Sequence, residues 1–278
     1  MPEGDVVIRT ARRLHAGLVD DVLVVAELRW GGRDGRRLVG RRTTEVVSRG
    51  KHLLHRVEGG LTLHSHLRMD GSWRISDVQR VSARTRSSPD LRALLATARR
   101  AALGWQLGML DVVATADEHT VVGHLGPDVL GSDWDEDTAL QRLRRDPTVT
   151  VGAALLDQRN LAGLGTIFTS EPLFLERTHP WASVGDLDDD HLRRVVRRAY
   201  RLIGASAASE RPSSTGDPRE PMYVHGRSGR SCRRCGQGVR VAMIGAAPRD
   251  RTMFYCPRCQ GGLAPTDDGR PQRPLGVR

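Results

Sequence analysis

The chain is nearly without lysine. Of its 43 cationic side chains only Lys51 is an ammonium and the rest are arginine. Arginine holds its proton throughout the physiological range, whereas lysine can lend or take one. Lysine chemistry is therefore confined to one place. Cysteine is also scarce: four in 278 residues excludes a disulfide-stapled scaffold. No apolar run approaches the roughly 18 residues that suggest a membrane span. The opening Met1-Pro2-Glu3-Gly4-Asp5 carries acids where a secretory leader has basic and apolar stretches, so no such leader is expected. Asparagine occurs once, at Asn160.

The length is enough for two domains or one large one. With 38% hydrophobic and 27% charged residues, the chain can build a core. Its net charge of +10 favours a polyanionic partner, nucleic acid first.

The patterns change along the chain. Residues 3–17 predict an amphipathic helix, with Val6, Val7, Leu14 and Leu18 on one face and Arg9, Arg12 and Arg13 on the other. Short strands follow to about 125, at Val22–Ala26, Leu38–Val39, Thr43–Val47, His52–Val57, Leu61–His66, Trp73–Ile75, Ala93–Ala96 and Leu107–Val113. Such strands between glycine-rich turns suggest a β-sandwich. The polar stretch 76–91 reads as a mobile loop. After Gly126-Pro127-Asp128 the pattern is helical, over 135–145, 150–160, 166–176 and 187–205. The last carries Arg193, Arg194, Arg197, Arg198 and Arg201. Residues 206–221 read as an exposed loop, 223–261 as a cysteine module and 262–278 as a disordered tail. The expected domains are 1–125, 126–222 and 223–261.

Three constellations carry chemistry. Cys232-x-x-Cys235 and Cys256-x-x-Cys259 stand 20 residues apart, so two knuckles can close four thiolates around zinc. A full thiolate shell leaves no open position, so the Zn2+ is structural. The intervening Val239–Met243 and Thr252–Tyr255 read as a hairpin. Arg233, Arg234, Arg240, Arg249, Arg251 and Arg258 make this ribbon cationic, as nucleic-acid contact needs. The second constellation is Gly163-Leu164-Gly165-Thr166 between two apolar helices. A sharp turn there exposes helix N-terminal amides to a phosphate, with Thr166 as N-cap. The third is Pro2-Glu3. Removal of Met1 would expose the proline amine, a nucleophile for aldehydes and sugar C1′ that forms an imine, beside a carboxyl able to shuttle protons. Taken alone, proline and glutamate also open ordinary helices.

Together these pieces closely resemble the bacterial formamidopyrimidine-DNA glycosylase / endonuclease VIII family. The resemblance rests on Pro2-Glu3-Gly4, Ser48-Arg49-Gly50-Lys51-His52, Gly126-Pro127-Asp128, Leu155-Leu156-Asp157-Gln158 with Ala162-Gly163-Leu164-Gly165, and Arg251-x3-Tyr255-Cys256-Pro257-x-Cys259-Gln260, in that order. It implies an α+β protein: an N-terminal helix with a β-sandwich, a helix–two-turns–helix domain and a zinc finger. It implies a DNA glycosylase and AP lyase that works as a monomer on damaged DNA, off the membrane, in the bacterial cytoplasm. Pro2 would be the nucleophile, Glu3 the general acid and Lys51 a phosphate or lesion contact that assists proton transfer. Arg251 would grip the phosphates flanking the lesion. The wedge would lie in Leu67-Arg68-Met69-Asp70-Gly71, with Met69 as its apolar tip. Ser48–His52 and Asp5 resemble the endonuclease VIII branch, which implies oxidised pyrimidines. Two features depart from the family. Thr166 replaces the usual asparagine, and about four extra residues around Gly245-Ala246-Ala247-Pro248 threaten the placement of Arg251. Both leave open a non-catalytic, structure-specific DNA binder on the same fold, or an RNA-binding zinc-ribbon protein.

Overall fold

The computed structural model describes residues 2–31, 34–209 and 213–274. These form two compact units, residues 1–124 and 125–278. The expected cleavage point after Met1 and the end of the tail lie outside the described residues. Among the described residues no helix is long and apolar enough to cross a membrane.

The first unit opens with α1 (Gly4–Leu18), whose Val7, Ala11, Leu14 and Leu18 recur every three or four residues and are buried. Its eight strands are β1 (Val25–Leu28), β2 (Thr43–Arg49), β3 (His52–Val57), β4 (Leu61–His66), β5 (Ser72–Asp77), β6 (Leu91–Ala96), β7 (Arg100–Trp105) and β8 (Met109–Ala114). They form two antiparallel sheets, ordered β1-β6-β7-β5 and β2-β3-β4-β8. One core holds residues of both sheets and of α1, among them Val46, Leu53 and Leu63, Trp73 and Leu95, and Leu14.

Three expectations change here. Leu38 is not in a strand. It ends a 3-10 turn, Gly35–Leu38, started by Asp34, whose carboxylate accepts the Arg36 amide. Strand β7 carried no strand signal, because Ala101, Ala102 and Gly104 lack branched side chains, yet it runs between β6 and β5. The stretch 76–91 is partly ordered. Val78 and Val81 pack over a second apolar cluster of Leu91, Leu94 and Leu103 on the outer face of the first sheet. They flank a 3-10 turn (Val78–Arg80) and lead into α2 (Ala83–Arg86), whose N-cap is Ser82. Helix α3 (His119–Val122) closes the unit.

The second unit contains α4 (Glu136–Leu143), α5 (Val151–Leu156), α6 (Ile167–Leu175) and α7 (Asp189–Ala207), then β9 (Arg240–Ile244), β10 (Arg251–Tyr255) and α8 (Pro257–Gln260). Ile244 and Met253 of the hairpin share the helices' core with Leu155, Phe168 and Val196. The cysteine module is thus built onto the helices and is not a separate body. Most arginines of α7 are paired: Arg193 and Arg197 with Glu136, Arg194 and Arg198 with Glu176. These four guanidiniums thus share the Glu136 and Glu176 carboxylates, so the helix face is tied into the fold and keeps part of its positive charge.

Residues 264–272, expected in a disordered tail, are held in place. The Asp267 carboxylate accepts from the Arg240 guanidinium and the Tyr255 hydroxyl. The Gln272 amide donates to the Val241 carbonyl at 2.9 Å and accepts the Val241 N–H at 2.8 Å, as a neighbouring strand would.

Candidate nucleic-acid interface and metal centre

In the first unit Glu3 is the N-cap of α1, its carbonyl accepting the amides of Val6 and Val7. The residue is buried, at 1% exposure, and Pro2 is half-buried. Lys51 stands in the turn joining β2 to β3. Gly50 takes φ +57° there, a conformation that costs glycine little.

Strand register then assembles a group the sequence reading did not single out. His52 lies opposite His66, and His64 two residues along β4 points to the same face. His52 Nδ1 lies 2.7 Å from His64 Nε2. The two rings stack with centroids 5.0 Å apart, and the His66 ring meets His52 edge-on at 4.9 Å. Burial, then the neighbouring His66, His64, His124 and Arg68, push the His52 imidazole down to about 3. Burial, then Arg68 and Lys51, push His66 down to about 4.

The 67–71 loop begins at this cluster. The Arg68 amide donates to His66 Nδ1 at 2.9 Å while Arg68 holds φ +57°. Met69 is 60% exposed at the tip. The loop closes through the Gly71 amide on the Leu67 carbonyl at 3.0 Å. Any Cβ on Gly71 would meet that carbonyl oxygen at 2.3 Å. Lys51, Arg68 and Met69 are thus gathered about His66.

In the second unit the turn from α5 to α6 is organised by one side chain. Gln158 donates to the Leu156 and Leu164 carbonyls at 3.0 and 2.9 Å and accepts the Gly163 amide at 3.0 Å. Gly163 takes φ +104°. Thr166 stands at the N-cap position, but its side chain makes no cap bond. Its hydroxyl instead meets His225 Nε2 at 3.2 Å and the residue is buried. Gly165 and Thr166 both lie within the turn's buried interior. The buried Glu171 carboxylate accepts the amides of Tyr223, Val224 and His225 at 2.8–2.9 Å and the Ser214 hydroxyl. It pins the loop that precedes the cysteine module.

Cys232, Cys235, Cys256 and Cys259 place all four Sγ atoms within 4.8 Å of one another. Burial and the neighbouring thiols push Cys259 up to about 11 and Cys256 higher still. Four sulfurs so crowded ionise together only around a cation, so the donor set suits a thiophilic metal. The hairpin between the knuckles keeps unbroken register from Arg251↔Ile244 to Tyr255↔Arg240. Residues 245–250 form its turn, and Arg251 opens β10 next to them. Its exposed guanidinium donates back to the Arg249 and Asp250 carbonyls at 3.0 and 2.8 Å.

A β-sandwich opened by a Pro-Glu helix start, helices joined at Gly163 and a four-cysteine hairpin define a DNA-glycosylase fold. The chain matches the formamidopyrimidine-DNA glycosylase N-terminal domain over residues 1–109 and the H2TH domain of the same glycosylases over 125–215. It is 47% identical to a "Probable endonuclease 8 2" of Streptomyces coelicolor over 100% of this chain and 99% of that one. It is 38% identical to the "DNA-(apurinic or apyrimidinic site) lyase Nei2" of Mycolicibacterium smegmatis over 94% and 99%. In fold it is similar to the Lactococcus lactis Fpg solved with DNA containing an abasic site, with TM-score 0.79, 22% identity, and 93% and 99% coverage. The chain belongs to the formamidopyrimidine-DNA glycosylase / endonuclease VIII family.

Proposed function

We propose that this protein is a bifunctional DNA glycosylase and AP lyase of base excision repair that acts on oxidised pyrimidines. The observation that supports it best is the gathering of the sole lysine and an exposed apolar tip about His66, on the sandwich that α1 and Glu3 pack against. Lys51 and Arg68 take the phosphates beside the lesion, and Met69 fills the gap left when the damaged nucleotide is flipped out.

Once Met1 is removed, the Pro2 nitrogen attacks C1′ and the C1′–base bond breaks, the base leaving with the electron pair and a proton. Glu3 protonates the ring oxygen as the sugar opens, and the nitrogen–C1′ iminium forms. The iminium acidifies the 2′ hydrogen, so a base removes that proton and the 3′ phosphate leaves. A second elimination expels the 5′ phosphate. The turn formed by Gly163, Gly165 and Thr166 packs against a phosphate, its shape set by the Gly163 amide that Gln158 holds. The Thr166 hydroxyl is held by His225 and contributes less. Arg251 reaches phosphate from the hairpin. Cys232, Cys235, Cys256 and Cys259 would hold Zn2+, which fixes the hairpin and takes no part in the reaction. The protein works as a monomer in the bacterial cytoplasm, as the relatives' bacterial sources support.

Borohydride trapping on duplex DNA with thymine glycol or an abasic site tests this reading. The expected result is a covalent adduct, with intact mass showing Met1 absent. A trapped adduct whose sugar maps to a residue other than the processed terminus, or full activity with Met1 retained, overturns the mechanism. Salt-sensitive binding without any cleavage would instead identify a non-catalytic DNA binder.

A further inference from the structure

The two elements on which that function rests, the Lys51 turn and the 67–71 loop, are joined through histidines as well as through the apolar core that holds Leu53 and Leu67. We propose that His52, His64 and His66 are positioning residues, a chain of uncharged rings in fixed tautomers that holds Lys51 and the wedge loop in a common frame. The inference rests on the proposed function.

The tautomers follow from the contacts. His66 Nδ1 accepts the Arg68 amide, so its ring proton is on Nε2. That bond secures Arg68 at φ +57°, where a side chain is strained by about 1–2 kcal/mol. An imidazolium has no lone pair and cannot make it. Between His52 Nδ1 and His64 Nε2, one nitrogen donates and the other accepts. His64 Nδ1 is buried and meets no hydrogen-bond partner among the described residues. A buried N–H without an acceptor costs more than a bare lone pair. His64 therefore carries its proton on Nε2 and donates it to His52 Nδ1.

The surroundings keep the rings neutral. Lys51 and Arg68 face His66, and Arg68, His66, His64 and the exposed His124 face His52. His64 faces Asp111 on β8 and Glu118 ahead of α3. The Glu118 carboxylate is already taken by Arg56 and Thr62. His64 is 1% exposed and has no route to a DNA strand, so any effect of its replacement on the reaction passes through His52.

His64→Leu removes the donor. His64→Gln keeps it, because the glutamine amide nitrogen reaches the place of Nε2. In single-turnover cleavage of a duplex with one abasic site, we expect His64→Leu to be slower by about tenfold, the effect of one buried hydrogen bond. His64→Gln should recover to within about threefold. Equal rates for wild type and His64→Leu overturn the proposal. So does a His64→Gln variant as slow as His64→Leu. Long-range 1H–15N spectra of wild type at pH 5.5 should show His52 and His66 neutral with bare Nδ1. Protonated rings or Nδ1–H tautomers overturn it too. This arm needs no DNA. A protein that traps no imine yet shows these tautomers fails the functional reading alone.

Discussion

His55 sits on the opposite face of β3 from His52, buried, with its Nε2 2.9 Å from the Thr43 hydroxyl. Burial pushes it down to about 4 from an ordinary 6.5. The folded protein therefore keeps His55 neutral while the unfolded chain protonates it below about pH 6.5. Stability is full above that pH, falls as pH drops toward 4, and levels off beneath. At about 1.4 kcal/mol per tenfold change in proton affinity, the loss is of order 3 kcal/mol. Urea denaturation at pH 7.5, 5.5 and 4.5 should show this slope, steepened by His52 and His66, and His55→Gln should lessen it by the His55 share; a His55→Gln slope equal to that of the wild type would refute the assignment. The cysteine cluster was legible because paired thiols at that spacing point to a metal, whereas the roles proposed for Pro2, Glu3 and Lys51 rest on the resemblance. The histidine cluster was not. His52, His64 and His66 become neighbours only through the register of β3 with β4, which one residue's slip would reverse.

At the scale of elements, the turn between α5 and α6 depends on two residues that a sequence pattern weighs unequally. Glycine at 163 is conspicuous, and its φ of +104° explains it. Gln158 is inconspicuous, although its amide satisfies three backbone groups of the turn. Gly163→Ala should lower stability by about 1–2 kcal/mol through backbone strain. Gln158→Leu leaves buried amide and carbonyl groups unpaired, at about 1–3 kcal/mol. Both should weaken duplex binding more than they lower the melting temperature of the second unit's hairpin. Thermal melts alongside anisotropy titrations will decide, and a Gln158→Leu protein with native affinity would remove the turn from the interface. Helices were read well because apolar spacing repeats every three to four residues. Strand β7 was missed because its small residues are selected by close packing between two neighbours, a tertiary demand that leaves no local mark.

At the scale of the molecule, the cysteine hairpin is fastened twice. The thiols hold one side. Asp267, 1% exposed in its side chain and pushed down to about 2 by the Arg240 guanidinium, holds the other. Removing residues 263–278, or Asp267→Ala alone, should make the hairpin far more sensitive to a chelator such as EDTA. Loss of the Arg240–Asp267 pair leaves a buried guanidinium uncompensated, at about 3–5 kcal/mol. Release of metal to a colorimetric indicator gives the readout; equal release rates with and without the brace would show that the thiols suffice. This fastening was not legible, because a Gly-, Pro- and Arg-rich stretch matches the composition of disorder and only the paired Arg240 and Tyr255 give Asp267 its place.

The solitary ammonium at the β2–β3 turn also makes this protein unusually easy to interrogate by amine chemistry. Apart from an α-amino group, Lys51 is the only primary amine that an acylating dye, a reductive-methylation reagent or a resin ester can modify. If Lys51 contacts DNA as proposed, conjugation or immobilisation through lysine should silence the protein, and bound duplex should shield it. Peptide mapping of a trapped adduct has just two nitrogens to choose between.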